Sequence, residues 1–314
     1  MGLACLVWSV GVVRTVTARR GPGWRSGGAG GGRGVAGVEV LRYAAFTTSP
    51  AGGNPAGVVL DASGLSDAEM LRIAAEVGYS ETAFLVARAA GGLDVRYFSP
   101  LAEVPFCGHA TIAAAVAWAR RFGPGDLVFH TRAGLVEVGT SVSGAEVVAT
   151  LTSVAPRVEP IAAGALAELL AALGWAASEL DPALPPRVGY AGAFHPVVAA
   201  GSRERLVALD YDFDRLGALM GREGWTTIQL VWRADAVTFH ARNPFPPGGV
   251  VEDPATGAAA AALGGYLREL GLVSPPVRLT VFQGRELGRP GVLTVDVAAR
   301  GGIAVSGPAV ELGS

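Results

Sequence analysis

The chain has 314 residues, half of them hydrophobic and 17% charged, enough for one large or two ordinary domains. Its formal net charge of -2 at pH 7 gives no footing for nucleic acid or any other polyanionic partner. All 25 basic residues are arginine, so the chain offers no Schiff-base lysine for pyridoxal phosphate, no P-loop lysine and no aldolase amine.

Residues 1–37 read as a disordered leader or an over-extended start. They carry five arginines (Arg14, Arg19, Arg20, Arg25, Arg33) and no acid, which leaves 20 arginines against 27 acids in the body. Leu3 to Val13 is apolar but shorter than the roughly 20 residues a membrane span needs. It lacks the flanks of a secretory signal. Gly21 to Gly37 is too rich in Gly, Arg and Ser to build a core. Cys5 and Cys107 make no disulfide framework and no Cys-x-x-Cys, and His109, His130, His195 and His240 are scattered. No metal site is expected, because a catalytic zinc needs about three converging protein ligands. The cytoplasm fits best.

From Val38 the pattern changes. Val38–Phe46 and Ala56–Leu60 read as strands around a glycine-bearing turn at Ser49–Asn54. Ser66-Asp67-Ala68-Glu69 is a capping box opening a helix with Met70, Leu71, Ala74 and Val77 on its apolar face. Gly78 is its C′ stop. Strands follow at Thr82–Val86 and Leu93–Phe98, then a turn at Gly108 and a buried Ala-rich helix over His109–Arg121. Further helices are predicted at Ala163–Leu173, Arg203–Met220 and Thr256–Leu270, the last stopped by Gly271. Strands are predicted at Val188–Tyr190, Val197–Ala200, Ile228–Trp232, Val237–Asn243, Val277–Gln283, Val292–Val297 and Gly302–Val310. Mixed strands with one dominant helix per half imply an α+β architecture.

Two stretches echo each other. Phe98-Ser99-Pro100, Val104 and Cys107-Gly108-His109-Ala110-Thr111 lead into an Ala-rich helix. So do Phe245-Pro246-Pro247, Val250 and Asp253-Pro254-Ala255-Thr256-Gly257. The echo implies two halves related by a pseudo-twofold axis. Each aims a helix N-terminus out of a small-residue turn, where free N–H groups and the macrodipole attract an anion. Ordinary strand–turn–helix packing explains the same shape equally well. Glu81, inside Tyr79-Ser80-Glu81-Thr82-Ala83-Phe84, has apolar neighbours that would partly desolvate it, as suits a general acid or base. A solvated edge glutamate is the plainer reading. His109 and Asp253 sit near the two helix starts, positions that also suit simple caps. A helix dipole would lower the pKa of Cys107, but the opposite turn has no second thiol, so Cys107 is read as a small buried residue.

These strings, with Gly53-Asn54-Pro55-Ala56-Gly57-Val58, Glu252-Asp253-Pro254-Ala255-Thr256-Gly257, Gln283-Gly284 and Gly288-Arg289-Pro290-Gly291, resemble in content and order the PhzF-like family of phenazine biosynthesis. The resemblance covers Val38 to the C-terminus. It implies the diaminopimelate-epimerase-like fold, in which two pseudo-symmetric domains each wrap a mixed sheet around a central helix. Here these would be 38–155, with or without the last C-terminal strand to complete it, and 156–314. The founding activity is isomerisation of a dihydro-hydroxyanthranilate, with a glutamate moving a proton between ring carbons and no metal or organic cofactor. By motif match that glutamate is Glu81, supported by His109 and Asp253. Asn54, Gly108, Ala110, Thr256, Gly257 and Ala258 would contact the substrate. Members are commonly homodimers. The family usually places serine where this chain has Ala258, which leaves the substrate open.

The expected function is therefore a cofactor-independent isomerase or epimerase acting on a small carboxylate-bearing compound, with no nucleic-acid or membrane partner. An amino-acid-type racemase on the same fold, with carboxylates replacing cysteines, is the enzymatic alternative. A non-catalytic small-molecule-binding protein is the alternative outside enzymes. The absence of a Gly-x-Ser-x-Gly elbow and of His-Glu-x-x-His disfavours hydrolases.

Overall fold

A computed structural model describes residues 37–313. The expected leader falls, but for Gly37, outside the described residues.

In chain order, β1 (Leu41–Ala45) pairs antiparallel with β2 (Asn54–Val59). Helix α1 (Asp67–Val77) crosses to β3 (Thr82–Ala87), parallel to β2, and β4 (Leu93–Phe98) runs back beside it, carrying the short β5 (Glu103–Val104). Next come α2 (Gly108–Phe122) and the meander β6 (Asp126–Thr131), β7 (Gly134–Ser143) and β8 (Glu146–Thr152). The second run holds β9 (Arg157–Pro160), α3 (Ala163–Leu173), β10 (Arg187–Tyr190), β11 (Phe194–Ala199), α4 (Arg203–Val207), α5 (Phe213–Glu223), β12 (Gln229–Arg233) and β13 (Thr238–Arg242). It ends with the hairpin β14 (Pro244–Phe245) and β15 (Val250–Glu252), then α6 (Gly257–Glu269), β16 (Val277–Gln283), β17 (Gly291–Val297) and β18 (Ile303–Glu311).

The last strand ties the sheet together. β18 hydrogen-bonds to β8, to β17 and, through Ala309–Glu311, to β1. The path from β1 through β2, β3, β4, β6, β7 and β8 therefore returns to β1 by way of β18 and encloses α2. The other arc, β17, β16, β13, β12, β11, β10 and β9, leaves β18 on its other side and curves over α6.

Period-2 alternation sorts the side chains between layers. In β3, Ala83 and Leu85 join the core around α2, whereas Phe84 packs outward with Met70 and Ile73 of α1. In β11, Val197 and Ala199 face α6, whereas Val198, with Ala200 just after the strand, packs with Leu169 of α3 and Leu216 of α5. The inner helices fit because they are thin. Ala113, Ala114 and Ala115 of α2 and Ala259 and Ala260 of α6 are completely buried. A Cβ at Gly264 of α6 would lie 2.9 Å from Cγ2 of Ile303, so that helix packs closely on β18 only because a hydrogen is there.

The expected α+β mixture is present, with two corrections. Arg203–Met220 is two helices, not one. Asp212 starts α5 by accepting the Arg215 N–H at 3.0 Å, and its own N–H donates to the Ala172 carbonyl, which breaks the run. Residues 126–160 carry no predicted element yet hold β6 to β9. In β7 the inward set is Val136, Val138 and Thr140, a period-2 signal diluted by Gly139, Thr140 and Ser141. The capping box behaves as predicted. The Ser66 hydroxyl accepts from Glu69 N–H, the Glu69 carboxylate accepts from Ser66 N–H, and Gly78 ends α1 at φ 72°.

Candidate active site

Helix α2 starts from Cys107, whose extended backbone (φ -144°) lets Cys107 and His109 project to the same side across Gly108. Glu81 lies one residue before β3, beside them. The Cys107 thiol donates to Glu81 Oε2 at 3.3 Å, and its sulfur lies 3.4 Å from His109 Nδ1 and 3.8 Å from Nε2. His109 Nε2 is 3.4 Å from Glu81 Oε2 and 3.3 Å from the Ser80 hydroxyl. Cys107 and His109 are buried, while Glu81 keeps 17% of its side chain exposed and so opens the cluster to solvent.

Helix α6 starts from Thr256. Asp253, three residues earlier, is buried, and both its carboxylate oxygens are held. Asn54 Nδ2 donates to Oδ1 at 2.7 Å and the Thr256 hydroxyl donates to Oδ2 at 2.6 Å. Gln283 closes the turn by donating to the Asp253 carbonyl at 2.8 Å and accepting the Thr256 N–H at 3.1 Å. Burial pushes the Asp253 carboxyl above its ordinary range, with His109 and the two hydrogen bonds pulling the other way and Glu81 adding to the rise. Glu81, His109 and Asp253 are thus close enough to act on one another, and the structure brings all three predicted polar residues to one place.

The predicted contact residues divide. Neither helix start has a side-chain cap, and Gly108, Gly257 and Ala258 border one small cleft with Phe46, Phe106 and Val305. Thr256, just before Gly257, is partly exposed. Asn54 and Ala110 are buried. The Asn54 amide is committed to Asp253 and to the Ala255 carbonyl, and the Ala110 N–H faces the Cys107 sulfur.

Cys107 is buried, as its reading as a small buried residue expects, and it makes contacts which that reading did not include. It touches Glu81 and His109 directly, so it is more than packing. Burial and the neighbouring Glu81 carboxylate also push its thiol well above the ordinary value, against the helix-start N–H of Ala110. Desolvation here outweighs the field of the helix start.

Two further features escaped sequence reasoning. Phe46 adopts φ 64°, the one positive-φ non-glycine among the described residues, its ring buried against Gly257 and Gly307. A Cβ at Gly307 would meet Phe46 Cδ1 at 2.5 Å. Strained backbone of this kind concentrates at functional sites. Behind Asp253, whose N–H donates to the Asn243 carbonyl, runs a buried chain. His195 Nδ1 donates to Thr227 Oγ1 at 2.9 Å, Thr227 to Asn243 Oδ1 at 2.8 Å, and Asn243 to Gln229 Oε1 at 2.7 Å. No local pattern announces a network whose members come from β11, from β12 and the residues before it, and from the link between β13 and β14.

The chain matches the family described as Phenazine biosynthesis-like protein, PhzC-PhzF, over residues 43–313. It is 34% identical over 287 residues to the uncharacterized isomerase YddE of Escherichia coli (strain K12), covering 87% of this chain and 96% of that one. It is 32% identical over 280 residues to the trans-2,3-dihydro-3-hydroxyanthranilate isomerase of Pseudomonas chlororaphis, covering 86% and 95%. Among solved structures, a Bacillus anthracis phenazine biosynthesis protein of the PhzF family superposes with a TM-score of 0.80 at 29% identity, covering 88% and 97%. Among the described residues no helix is long and apolar enough to cross a membrane.

Proposed function

The chain belongs to the phenazine biosynthesis-like protein family and is an isomerase, and on that premise we propose that it moves a proton on a small carboxylate-bearing substrate, with Glu81 as the carrier. One observation supports this reading above the rest. A partly exposed carboxylate sits beside an imidazole at the uncapped start of α2, whose Gly108 borders a small cleft together with Gly257 and Ala258 of the uncapped start of α6.

Each group then has a task. The N–H groups of Gly108, Gly257 and Ala258 receive the substrate carboxylate, helped by both macrodipoles. Glu81 takes a proton from carbon and returns it at another position or on another face. His109, 3.4 Å away, stabilises the charge that passes through Glu81. Asp253 is held by Asn54 and Thr256 at a fixed distance from the pair. The apolar walls, Phe46, Phe106 and Val305, exclude water from the developing carbanion.

The proposal includes the domain plan. Residues 38–155 with β18 form one domain around α2, and the remainder of 156–314 forms the other around α6. It also includes a homodimer working in the cytoplasm. Size-exclusion chromatography with light scattering tests the dimer.

The activity test is solvent-deuterium incorporation. Small carboxylates, beginning with trans-2,3-dihydro-3-hydroxyanthranilate as the substrate of a named relative, are incubated with the full chain in D2O and read by NMR. Deuterium at a carbon–hydrogen position of a bound compound is expected. Compounds that bind without any carbon-bound exchange would instead establish a binding protein.

A further inference from the structure

We infer that two matched ion pairs, Arg96–Glu103 and Arg242–Glu252, are positioning clamps that set the starts of α2 and α6 against the cleft. The inference rests on a recurrence. Arg96 Nε donates to Glu103 Oε1 at 2.7 Å and its Nη2 to Oε2 at 2.8 Å. Arg242 Nε donates to Glu252 Oε2 at 3.0 Å and its Nη2 to Oε1. Both pairs are two-pronged forks, in which a planar guanidinium fixes direction as well as distance.

The forks occupy the same place in the two echoing stretches. Each arginine stands two residues before the strand partner of its glutamate, since Phe98 lies opposite Glu103 and Pro244 opposite Glu252. Each glutamate opens a string Glu-x-Pro-x-x-Gly, Glu103 to Gly108 and Glu252 to Gly257, whose closing glycine is the first residue of the helix. The remaining guanidinium nitrogen reaches an outer helix in both cases. Arg96 Nη1 donates at 2.6 Å to Asp67, the first residue of α1. Arg242 Nη1 donates to the Val207 and Leu206 carbonyls, at 2.8 and 3.3 Å, where α4 ends. An incidental surface pair contributes little, and nothing would make it recur at one register in both stretches.

The backbone leaves these turns in need of a clamp. β5 has two residues and β15 three, and each pairs with one neighbour only. Pro244, opposite Glu252, has no N–H to give the ladder. The forks supply what such short ladders lack, and Glu252 holds the chain directly beside Asp253. The two differ in depth: side-chain exposure is 9% and 4% for Arg242 and Glu252, against 26% and 16% for Arg96 and Glu103. Glu103 also receives Arg132 Nε at 2.6 Å. That the clamped helix starts receive a carboxylate rests on the function proposed above; the clamping itself does not.

The test uses the full chain with both partners of one clamp replaced together, Arg96→Met with Glu103→Leu, or Arg242→Met with Glu252→Leu. Replacing a whole buried ion pair by apolar side chains is often neutral or stabilising, whereas removing one partner strands a charge. Parental circular dichroism and urea midpoints are therefore expected. Amide hydrogen exchange read by NMR follows the first bond of each helix, Thr111 N–H to the Cys107 carbonyl and Ala260 N–H to the Thr256 carbonyl, both 3.0 Å. Each double variant should speed exchange about tenfold or more at its own helix start and leave the other start unchanged. Glu103→Gln and Glu252→Gln, which keep the side-chain shape, give the same readout if an apolar pair does not fold. Parental protection at Thr111 and at Ala260 in the matching variants, or equal loosening at both starts, would overturn the clamps.

Titration with trans-2,3-dihydro-3-hydroxyanthranilate, the substrate of a named relative, then tests what the clamps serve. Affinity should fall about tenfold while the deuterium-exchange rate at saturation stays within about threefold of the parent, the split expected when binding geometry and not chemistry is lost. Loosened first turns with parental affinity would leave the clamps standing and remove the helix starts as carboxylate receptors.

Discussion

At the start of α2, Glu81, Cys107 and His109 meet at 3.3–3.8 Å, with an exposed edge. At the start of α6, Asp253 is gripped at 2.6–2.7 Å by Thr256 and Asn54, with Gln283 bracing the turn behind it. The two ends grow from echoing sequence strings and border the same cleft, yet one is loosely bonded and the other has both carboxylate oxygens tightly held. A group that must gain and lose a proton needs bonding capacity in reserve, whereas a group that sets geometry is most useful when every lone pair is committed. The α2 end therefore reads as the chemical end and the α6 end as the scaffold.

The largest expected effect tests the chemical end. Glu81→Gln keeps size and shape and removes the titrating group, so carbon-bound deuterium exchange should fall by about 100- to 10,000-fold. Because the Glu81 contacts are long and partly exposed, stability should stay within about 0.5 kcal/mol of the parent. Exchange at the parental rate would make the α2 end a bystander.

Asp253→Asn should invert that profile. The new amide turns its N–H groups either toward Asn54 Nδ2, setting donor against donor, or toward the Thr256 hydroxyl, which must then give up its own donation and accept. A loss of roughly 1–3 kcal/mol in urea unfolding is expected, together with weaker carboxylate binding as the α6 turn loosens. A stable Asp253→Asn protein that still binds ligand but cannot exchange hydrogen would move Asp253 into the chemistry and erase the distinction.

A pH experiment probes the support behind the scaffold. Burial pushes the His195 imidazole down to about 4, opposed by its contact with Thr227. A folded pKa below the unfolded value of about 6.5 means that protonation favours unfolding. The stabilisation is complete above pH 6.5 and is lost as pH falls toward 4. Relative to pH 7, stability at pH 5 should drop by roughly 2 kcal/mol from this group. The excess loss over a His195→Gln variant, measured by urea unfolding at both pH values, isolates it. Equal losses in the two proteins would show that His195 is solvated in the folded state.

What the sequence made legible is uneven for physical reasons. Helix starts and stops were readable because caps are local: Ser66, Glu69 and Gly78 lie within one helix and its ends. The three polar residues were readable because their strings are short and distinctive. The clustering of Cys107 with Glu81 was not, since it depends on β3 and α2 meeting in space across 26 residues. The chain from His195 to Gln229 needs β11, the entry to β12 and the link after β13 to meet in space, and the φ of Phe46 is imposed by β17 and β18, far along the chain. Meander strands such as β7 were hidden by glycine, serine and threonine on a half-exposed sheet, where tertiary pairing outweighs propensity.

The smallest expected effect concerns Ala258, at the second position of α6 and on the wall of the cleft. Serine there adds a hydroxyl beside the N–H groups that are proposed to receive the carboxylate. One neutral donor to an anion contributes about 1–1.5 kcal/mol, so Ala258→Ser should tighten carboxylate binding about five- to tenfold. Stability should change by no more than about 0.5 kcal/mol, because the side chain is partly exposed. The exchange rate at saturation separates two roles. If the hydroxyl only holds the anion, affinity rises and the saturated rate is unchanged, as a scaffold residue requires. If the saturated rate climbs as well, the hydroxyl is relaying a proton from the α6 end. The division between a chemical helix start and a scaffolding one would then be a property of this chain's alanine rather than of the fold.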